Sequence, residues 1–267
     1  MTPKRILQHL APPFLWNFGK ACKRKLFASV DHMAYAPQGW TTPLPGGVDR
    51  HAYWSKLIER ERGVYQRLVA RAESGEPLIE ERTDITLAVF GYALALAARS
   101  KERLTVLDYG GNLGEYYWVA RALVPGVTLD YHCKELPDVS ASGREINKGV
   151  TFHSDDSCFE RSYDLVMFLG STQYLPDWQE VLRRAARATG SHLLLGNVAT
   201  VNDVPSYVAT SRSSGVTTLQ IQLNRDEVVT TVERAGLRLM RELPMGEHPP
   251  IANAPEQPAS TGWLFRR

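Results

Sequence analysis

The stretch V-L-D-Y-G-G-N-L-G-E-Y-Y, residues 106–117, decides the fold of this chain. It continues a short apolar run, Leu104–Leu107, whose length and β-branched content are typical of a strand. The run ends at Asp108, and glycines follow at positions 110, 111 and 114, where a helix is predicted to begin. Glycine lets a backbone pass close to a ligand, and the first turn of a helix offers unpaired N–H groups. Strand, Gly-rich turn and helix in this order predict a nucleotide cradle.

Two cofactors compete for this cradle. A dinucleotide fold uses G-x-G-x-x-G to hold a pyrophosphate, with an acid about 20 residues further on for the ribose. An S-adenosylmethionine cradle is similar but carries an acid at the strand end, two residues before the first glycine, where Asp108 stands. A carboxylate there repels a pyrophosphate and attracts the cationic methionine end of S-adenosylmethionine, so the pattern favours the methyl donor. A Gly-rich turn without any ligand remains a third interpretation.

At these residues the chain resembles the class I S-adenosylmethionine-dependent methyltransferases. More narrowly, it is similar to a family of methyltransferases encoded among bacterial surface-polysaccharide genes. The resemblance covers residues 50 to 267. Its matching segments are Val106–Tyr117, Lys134–Pro137, Tyr163–Asp177 and Thr261–Phe265. One position departs from the superfamily pattern, because Asn112 stands where the middle glycine is usual; asparagine tolerates unusual backbone angles better than most residues.

The resemblance implies an α/β fold with a Rossmann-like seven-stranded sheet, an antiparallel last strand and an N-terminal helical cap. It implies methyl transfer from S-adenosylmethionine to a hydroxyl of a saccharide or saccharide-lipid intermediate. Two alternatives stay open, an NAD(P)-dependent oxidoreductase and a cofactor-binding module without catalytic activity. The predicted regions are a basic and apolar arm with a loop (residues 1–50), a helical cap (51–103) and a methyltransferase core (104–267).

Charge is distributed unevenly along the 267 residues. Residues 1–30 contain six Lys or Arg and no acid, whereas the whole chain totals +2, so the remainder carries −4. A mildly acidic body argues against a nucleic-acid partner. The arm also carries aromatic and aliphatic residues. It is expected either to pack on the body or on a partner chain, or to contact the anionic inner membrane face, and co-sedimentation with anionic vesicles distinguishes the two. Three cysteines without C-x-x-C spacing argue against a zinc site and suit the cytoplasm.

Alternating strands and helices are predicted beyond the cradle. Two helices precede it, at Ala52–Ala72 and from Thr83–Asp84 onward, the second of them buried. A loop is predicted for residues 31–50 and another for Asn197–Leu219, where small polar residues are frequent. A helix is predicted from Asn224 to Gly236. The predicted strands after the first are Val127–Cys133, Gly149–His153, Asp164–Leu169, His192–Gly196, Leu237–Leu243 and Gly262–Arg267.

The candidate cofactor-binding residues follow the ends of successive strands, where ligands gather in open α/β sheets. Glu135, 21 residues after Gly114, is the candidate for the ribose hydroxyls, with Asp130 as the competing acid. One of the adjacent Asp155 and Asp156 is expected to accept from the adenine amino group. The resemblance places the loop after the fourth strand, Gly170–Tyr174, along the methionine arm and the substrate. The full set is Asp108, Gly110, Gly111, Asn112, Gly114, Glu135, Asp155, Asp156, Gly170 and Ser171.

No catalytic residue is identified by a motif. In-line methyl transfer depends mainly on positioning, and a general base is needed only where the acceptor must lose a proton. Tyr174 is a candidate for orienting an acceptor hydroxyl, and His132, His153 and His248 are candidate bases. None of these histidines lies in a motif that singles it out, and in each case a structural histidine with satisfied hydrogen bonds is the favoured interpretation. No metal-ligand cluster is visible in the sequence.

Overall fold

The computed structural model describes residues 32–41, 62, 63, 66, 70, 74, 85–213 and 216–267. The predicted basic arm, residues 1–30, lies outside these residues, so its membrane contact stays a prediction. Most of the first cap helix, Ala52–Ala72, is also outside them, although the described positions 62, 63, 66 and 70 are helical. No helix in the described part of the chain is long and apolar enough to cross a membrane.

One sheet contains every strand among the described residues. These are β1 (His32–Tyr35), β2 (Arg103–Tyr109), β3 (Thr128–Lys134), β4 (Val150–His153), β5 (Tyr163–Leu169), β6 (Thr189–Val201), β7 (Tyr207–Ser213), β8 (Val216–Asn224), β9 (Arg238–Glu247), β10 (Ile251–Ala252) and β11 (Ala259–Arg266). Seven of them form the core in the order β4-β3-β2-β5-β6-β11-β9. The first five are parallel, and β11 runs antiparallel to both of its neighbours. The predicted fold class is confirmed.

Five described helices cover the two faces of this core. They are α1 (Ile85–Ala98), α2 (Glu115–Leu123), α3 (Pro137–Ile146), α4 (Trp178–Ala188) and α5 (Arg225–Arg234). Phe90 and Leu94 of α1, both fully buried, pack on one face of the sheet. Leu182 of α4 and Val228 of α5, also fully buried, pack on the other. Because helices cover both faces of the parallel strands, these strands have near-continuous apolar sequences.

The predicted loop at Asn197–Leu219 is wrong. Strand β6 continues to Val201, and β7 and β8 then form an antiparallel pair. Thr217 and Thr218 of the predicted loop lie at the start of β8, V-T-T-L-Q-I-Q-L-N. From Thr218 onward this strand alternates polar with apolar residues, which is the period of a half-buried strand. This pair joins the core because β8 lies parallel to the end of β6, with Thr200 opposite Leu223 and Val201 opposite Asn224.

The predicted loop at residues 31–50 is also wrong for its described part. Residues His32–Tyr35 form β1, which pairs antiparallel with β7 and parallel with β10. The order β10-β1-β7-β8 therefore extends the sheet beyond β6. We call these four strands the side sheet. A small apolar cluster of Met33, Val201, Tyr207, Ala209 and Ile251 holds it together. The side sheet stands at the carboxyl end of β6, on the edge where the candidate site residues gather.

Candidate functional site

The Gly-rich turn after β2 is held against the loops that follow two neighbouring strands. Gly110 has φ +79° and donates its N–H to the carbonyl of Lys134 at 2.8 Å. A Cβ at Gly110 would stand 2.4 Å from the Cβ of Ser171, which follows β5. The Ser171 hydroxyl donates to the carbonyl of Tyr109 at 2.6 Å. Only glycine fits at 110, because both the backbone angle and the close approach exclude a side chain.

Asn112 takes the position at which the superfamily pattern has glycine. Its φ is +53°, so the backbone is left-handed and asparagine is the non-glycine residue that tolerates it best. Its N–H donates to Glu135 Oε1 at 3.0 Å. Its side-chain oxygen is buried and has no hydrogen-bond partner. The departure from the pattern therefore preserves the turn and places an unpaired amide oxygen in the cradle wall.

Asp108 lies directly beneath this turn. It is 1% exposed, and a Cβ at Gly111 would stand 2.2 Å from its Oδ2. The Tyr131 hydroxyl, on β3, donates to the same oxygen at 2.9 Å. Burial raises the pKa of Asp108 to about 8, since desolvation outweighs the hydrogen bond from Tyr131. At neutral pH the carboxyl is therefore mostly protonated, and a nearby cation would favour its ionised form.

Glu135 joins the end of β3 to the Gly-rich turn. One carboxylate oxygen accepts from the N–H of Asn112 at 3.0 Å, and the other accepts from the N–H of Leu136 at 2.9 Å. Burial raises its pKa even though these two bonds favour the charged form. Each carboxylate oxygen can accept more than one hydrogen bond, so the group can still bind hydroxyls. The structure thus fixes the predicted ribose acid in place by the turn itself.

Asp130, the competing acid, is committed elsewhere. It pairs with Arg103 at 2.9 Å and with Arg161 at 3.2 Å, and it lies 3.0 Å from His132 Nε2. Burial alone would raise the pKa of Asp130, but the hydrogen bond from Arg103 and the neighbouring charges lower it. Its position inside β3 keeps it away from the strand end.

The adjacent acids after β4 play different structural parts. Asp155 caps the 3-10 turn Asp156–Glu160, and its Oδ1 accepts from the N–H and the hydroxyl of Ser157 at 3.0 and 2.5 Å. These bonds lower the pKa of Asp155, which stays exposed. Asp156 is paired with Arg184 at 3.2 Å and with Lys134 at 3.7 Å. Asp155 is therefore the acid of the two that the structure leaves facing solvent.

The loop after β5 connects the cradle to the side sheet. Gly170 has φ +84° and donates its N–H to the carbonyl of Gly196 at 2.8 Å. Ser171 touches the Gly-rich turn, as described above, and the next three residues form the 3-10 turn Thr172–Tyr174. The Tyr174 hydroxyl accepts from Gln220 Nε2, on β8, at 3.1 Å. Tyr174 is thus placed between the turn and the side sheet.

The candidate histidines lie at opposite edges of the core sheet. His153, at the end of β4, bonds His132 on β3 through ring nitrogens 2.8 Å apart. His248 follows β9, and its Nδ1 lies 2.8 Å from the carbonyl oxygen of Pro249. Burial lowers the pKa of all three imidazoles. The structure does not bring His153 and His248 together, and no group of three His, Cys, Asp or Glu able to hold a metal occurs within the described ranges.

The sequence interpretation singled out neither Tyr131 nor Gln222, and it included Thr172 and Gln173 only as members of the loop Gly170–Tyr174. The Tyr131 hydroxyl donates to Asp108 from the neighbouring strand β3, where Tyr131 lies opposite Val106. Thr172, Gln173 and Gln222 carry buried polar atoms without partners beside the loop after β5. The available signal was the polar alternation along β8. It could identify a strand, but it could not identify the neighbour of that strand.

Comparison with known proteins gives structural likeness without sequence matches. No family model and no curated protein matches the chain. The sugar N-methyltransferase KedS8 from Streptoalloteichus sp is 15% identical, with a TM-score of 0.51 over 85% of this chain and 97% of that one. The 1,6-didemethyltoxoflavin-N1-methyltransferase of Burkholderia thailandensis is 15% identical, with a TM-score of 0.48 over 88% and 99%.

A third similar structure is the mitomycin 7-O-methyltransferase MmcR, which is 21% identical with a TM-score of 0.46. The match covers 68% of this chain and 54% of MmcR, so the chain spans about half the length of that protein. Nothing in these likenesses bears on the surface-polysaccharide family, which stays a prediction. Taken with the strand order, the likeness to KedS8 shows that this chain has the Rossmann-like α/β fold of the class I methyltransferases.

Proposed function

We propose that this chain is an S-adenosylmethionine-dependent methyltransferase whose acceptor is a hydroxyl of a saccharide or saccharide-lipid intermediate. The observation that carries the proposal is the Asp108 carboxyl held beneath a turn that only glycine can form at position 110. A buried acid at this point disfavours a pyrophosphate and favours a cation. The likeness in fold to the sugar N-methyltransferase KedS8 supports methyl transfer.

The residues present fit such a cofactor. Gly110 and Gly111 let the turn pack closely on Ser171 and Asp108, because a Cβ at either would meet those side chains at less than van der Waals distance. The unpaired oxygen of Asn112 offers an acceptor for an ammonium or hydroxyl. S-adenosylmethionine supplies an electrophilic methyl group when bound. The chain's own part is to orient, to exclude water and to complement charge.

We assign roles to these side chains as follows. Asp108, with the turn residues Gly110, Gly111, Asn112 and Gly114, binds the methionine end together with Gly170 and Ser171. Glu135 binds the ribose hydroxyls. Asp155 accepts a hydrogen bond from the adenine amino group. Asp156 holds the segment after β4 in place through its ion pairs with Lys134 and Arg184. Tyr174 orients the acceptor hydroxyl, and no histidine is needed for this role.

The first test is a calorimetric titration of the full chain with S-adenosylhomocysteine and, separately, with NAD. We expect binding of S-adenosylhomocysteine and none of NAD, because the Asp108 carboxyl lies directly beneath the turn that would have to hold a pyrophosphate. Binding of NAD alone would establish an oxidoreductase. If S-adenosylhomocysteine binds but labelled methyl groups reach no acceptor, the chain is a binding module without activity.

Replacing Glu135 by alanine is expected to weaken that binding about 10- to 100-fold. The loss corresponds to charge-assisted hydrogen bonds worth about 1.5–3 kcal/mol. Asp130→Asn is the matched control, because Asp130 is also a carboxyl group, lies on the strand that Glu135 directly follows, and is engaged by Arg103 and Arg161. The same titration should leave the affinity of Asp130→Asn near that of the wild type. If Asp130→Asn lost the binding and Glu135→Ala kept it, Asp130 would be the ribose acid and our assignment of Glu135 would be wrong.

A further inference from the structure

The 3-10 turn Thr172–Tyr174 packs against strand β8 of the side sheet. The hydrogen bond from Gln220 to the Tyr174 hydroxyl fixes which face of β8 meets this turn. Successive side chains of a strand point to opposite faces, so Gln222 lies on the same face as Gln220. Ile221, between them, packs in the apolar cluster on the other face. The side chain of Gln222 is therefore directed to the side occupied by the turn.

Three side chains of these two elements carry buried polar atoms without a hydrogen-bond partner. Gln222 is fully buried, and neither its amide oxygen nor its amide nitrogen is paired. Thr172 is fully buried with an unpaired hydroxyl, and the amide oxygen of Gln173 is unpaired as well. Buried polar groups in folded proteins are nearly always paired, because leaving one unpaired costs free energy. Three such groups on two contacting elements indicate a site that a ligand completes.

This group of side chains adjoins the cradle. Thr172 follows Ser171, whose hydroxyl bonds Tyr109 and whose Cβ faces Gly110. Strand β8 joins the core sheet through two residue pairs at the end of β6. Movement of β8 away from the turn would expose all three side chains to a ligand beside the cofactor site.

We propose that Thr172, Gln173 and Gln222 bind the hydroxyl groups of the methyl acceptor, and that this acceptor is an uncharged polyhydroxylated ring. The proposal rests on the proposed function and names the acceptor side of that same site. A hydroxyl both donates and accepts, and so it pairs with an amide oxygen, an amide nitrogen or another hydroxyl. None of the three side chains carries a charge, so the set does not suit a carboxylate or a phosphate as its direct partner.

The test is Gln222→Leu, compared with Gln257→Leu as the matched control. Leucine fills a similar volume and removes the unpaired amide of Gln222. Gln257 differs because its amide bonds both the N–H and the carbonyl of Ile251. For Gln222→Leu we expect the melting temperature of the unliganded protein to rise by roughly 3 °C or more. For Gln257→Leu we expect it to fall, since a satisfied pair of bonds is lost.

Activity is measured with methyl-labelled S-adenosylmethionine and a panel of hexoses and methyl hexosides, all uncharged, as acceptor probes. Gln222→Leu should transfer methyl groups at least tenfold more slowly than the wild type, with the affinity for S-adenosylhomocysteine unchanged within twofold. Gln257→Leu should keep both properties. Thr172→Val, which removes the hydroxyl at constant shape, should reproduce the loss of transfer.

Each other outcome identifies which statement is wrong. A wild-type chain that does not bind S-adenosylhomocysteine removes the proposed function itself. A chain that binds it and methylates no hexose contradicts the acceptor class named here, with the cofactor assignment intact. Undiminished transfer by Gln222→Leu, or a fall in its melting temperature as large as that of Gln257→Leu, shows that Gln222 is a structural residue.

Discussion

The Asp108→Asn variant is expected to be more stable than the wild type at pH 8 and to bind cofactor more weakly. The folded protein holds the Asp108 proton up to a pKa of about 8, whereas an unfolded chain releases it near the ordinary value of 3.8. Between these values the folded state binds more protons, so the stability due to this group falls as the pH rises. Asparagine does not titrate, and the variant escapes this loss.

The expected size follows from the same window. The difference in free energy of unfolding between Asp108→Asn and the wild type should grow by roughly 1.4 kcal/mol for each pH unit from about pH 4 to pH 8. Above pH 8 it should stay constant. Urea titrations at unit intervals from pH 5 to pH 9 measure it. A difference that does not change with pH would mean that Asp108 is already ionised in the folded chain.

Asp164→Asn is the control of opposite sign. Burial of Asp164 works against its ionisation, but bonds from the Thr105 N–H and from Lys101, both at 2.9 Å, hold its pKa below the ordinary value. Its ionised form stabilises the fold above its unfolded pKa, and this contribution is lost as the pH falls through the folded one. The asparagine variant should therefore be less stable than the wild type at neutral pH.

Cofactor binding gives the second half of this prediction. A cationic methionine end favours ionised Asp108, so binding to the wild type should release a proton and strengthen as the pH rises from 6 to 8. The Asp108→Asn variant should bind more weakly at pH 8 and show little dependence on pH. Calorimetry with S-adenosylmethionine at these pH values compares the two proteins. If both proteins showed the same pH dependence of binding, Asp108 would not interact with the charged end of the ligand.

Gly110→Ala is expected to abolish cofactor binding and to destabilise the fold by about 2–5 kcal/mol. The estimate combines a left-handed backbone, which costs a residue with Cβ about 1–2 kcal/mol, with overpacking, which costs about 1–3 kcal/mol. The new Cβ would meet the Ser171 side chain at 2.4 Å and force the turn and the loop after β5 apart. Those two segments are the ones to which we assign the methionine end of the cofactor.

Two other glycines separate the cost of the left-handed backbone from the cost of the steric clash. Gly236 has φ +97° with open space around it, so Gly236→Ala should lose about 1–2 kcal/mol through the backbone alone. Gly126 has neither a left-handed backbone nor a nearby atom, and Gly126→Ala should be neutral or stabilising by about 0.4–1 kcal/mol. Neither variant should change the affinity for S-adenosylhomocysteine. Chemical denaturation and calorimetry are carried out on all three variants. If Gly110→Ala lost no more stability and no more affinity than Gly236→Ala, the clash with Ser171 would not be the cause of the effect.

The cradle and the core could be predicted from the sequence because their signals are local. Asp108, the turn glycines and Glu135 are read from spacing along one βαβ unit, and the buried strands appear as apolar runs. The helix from Asn224 was predicted for the same reason, since its cap depends on bonds to Asp226 and Glu227 a few residues away. Local pattern and tertiary structure agree at these places.

The side sheet could not be predicted because its pairing is between distant segments. Ala34 lies opposite Thr210, whose hydroxyl also bonds the Ala34 carbonyl, across 176 residues of chain. A four-residue strand gains its structure from such a partner rather than from its own propensity. The support of Asp108 by Tyr131 was missed for a related reason, since spacing along the chain does not indicate which side chains meet across neighbouring strands.

The small apolar cluster of the side sheet bears on how this protein can change over generations. This cluster shares no residue with the two large clusters beneath the cradle, although β8 joins one of them through Ile221 and Leu223. Substitutions at well-separated sites without shared partners add in free energy. Mutations that reshape Tyr207 or Ile251 therefore leave the turn around Asp108 energetically untouched. Selection for new acceptors can work on the side sheet while the inherited cofactor site is preserved.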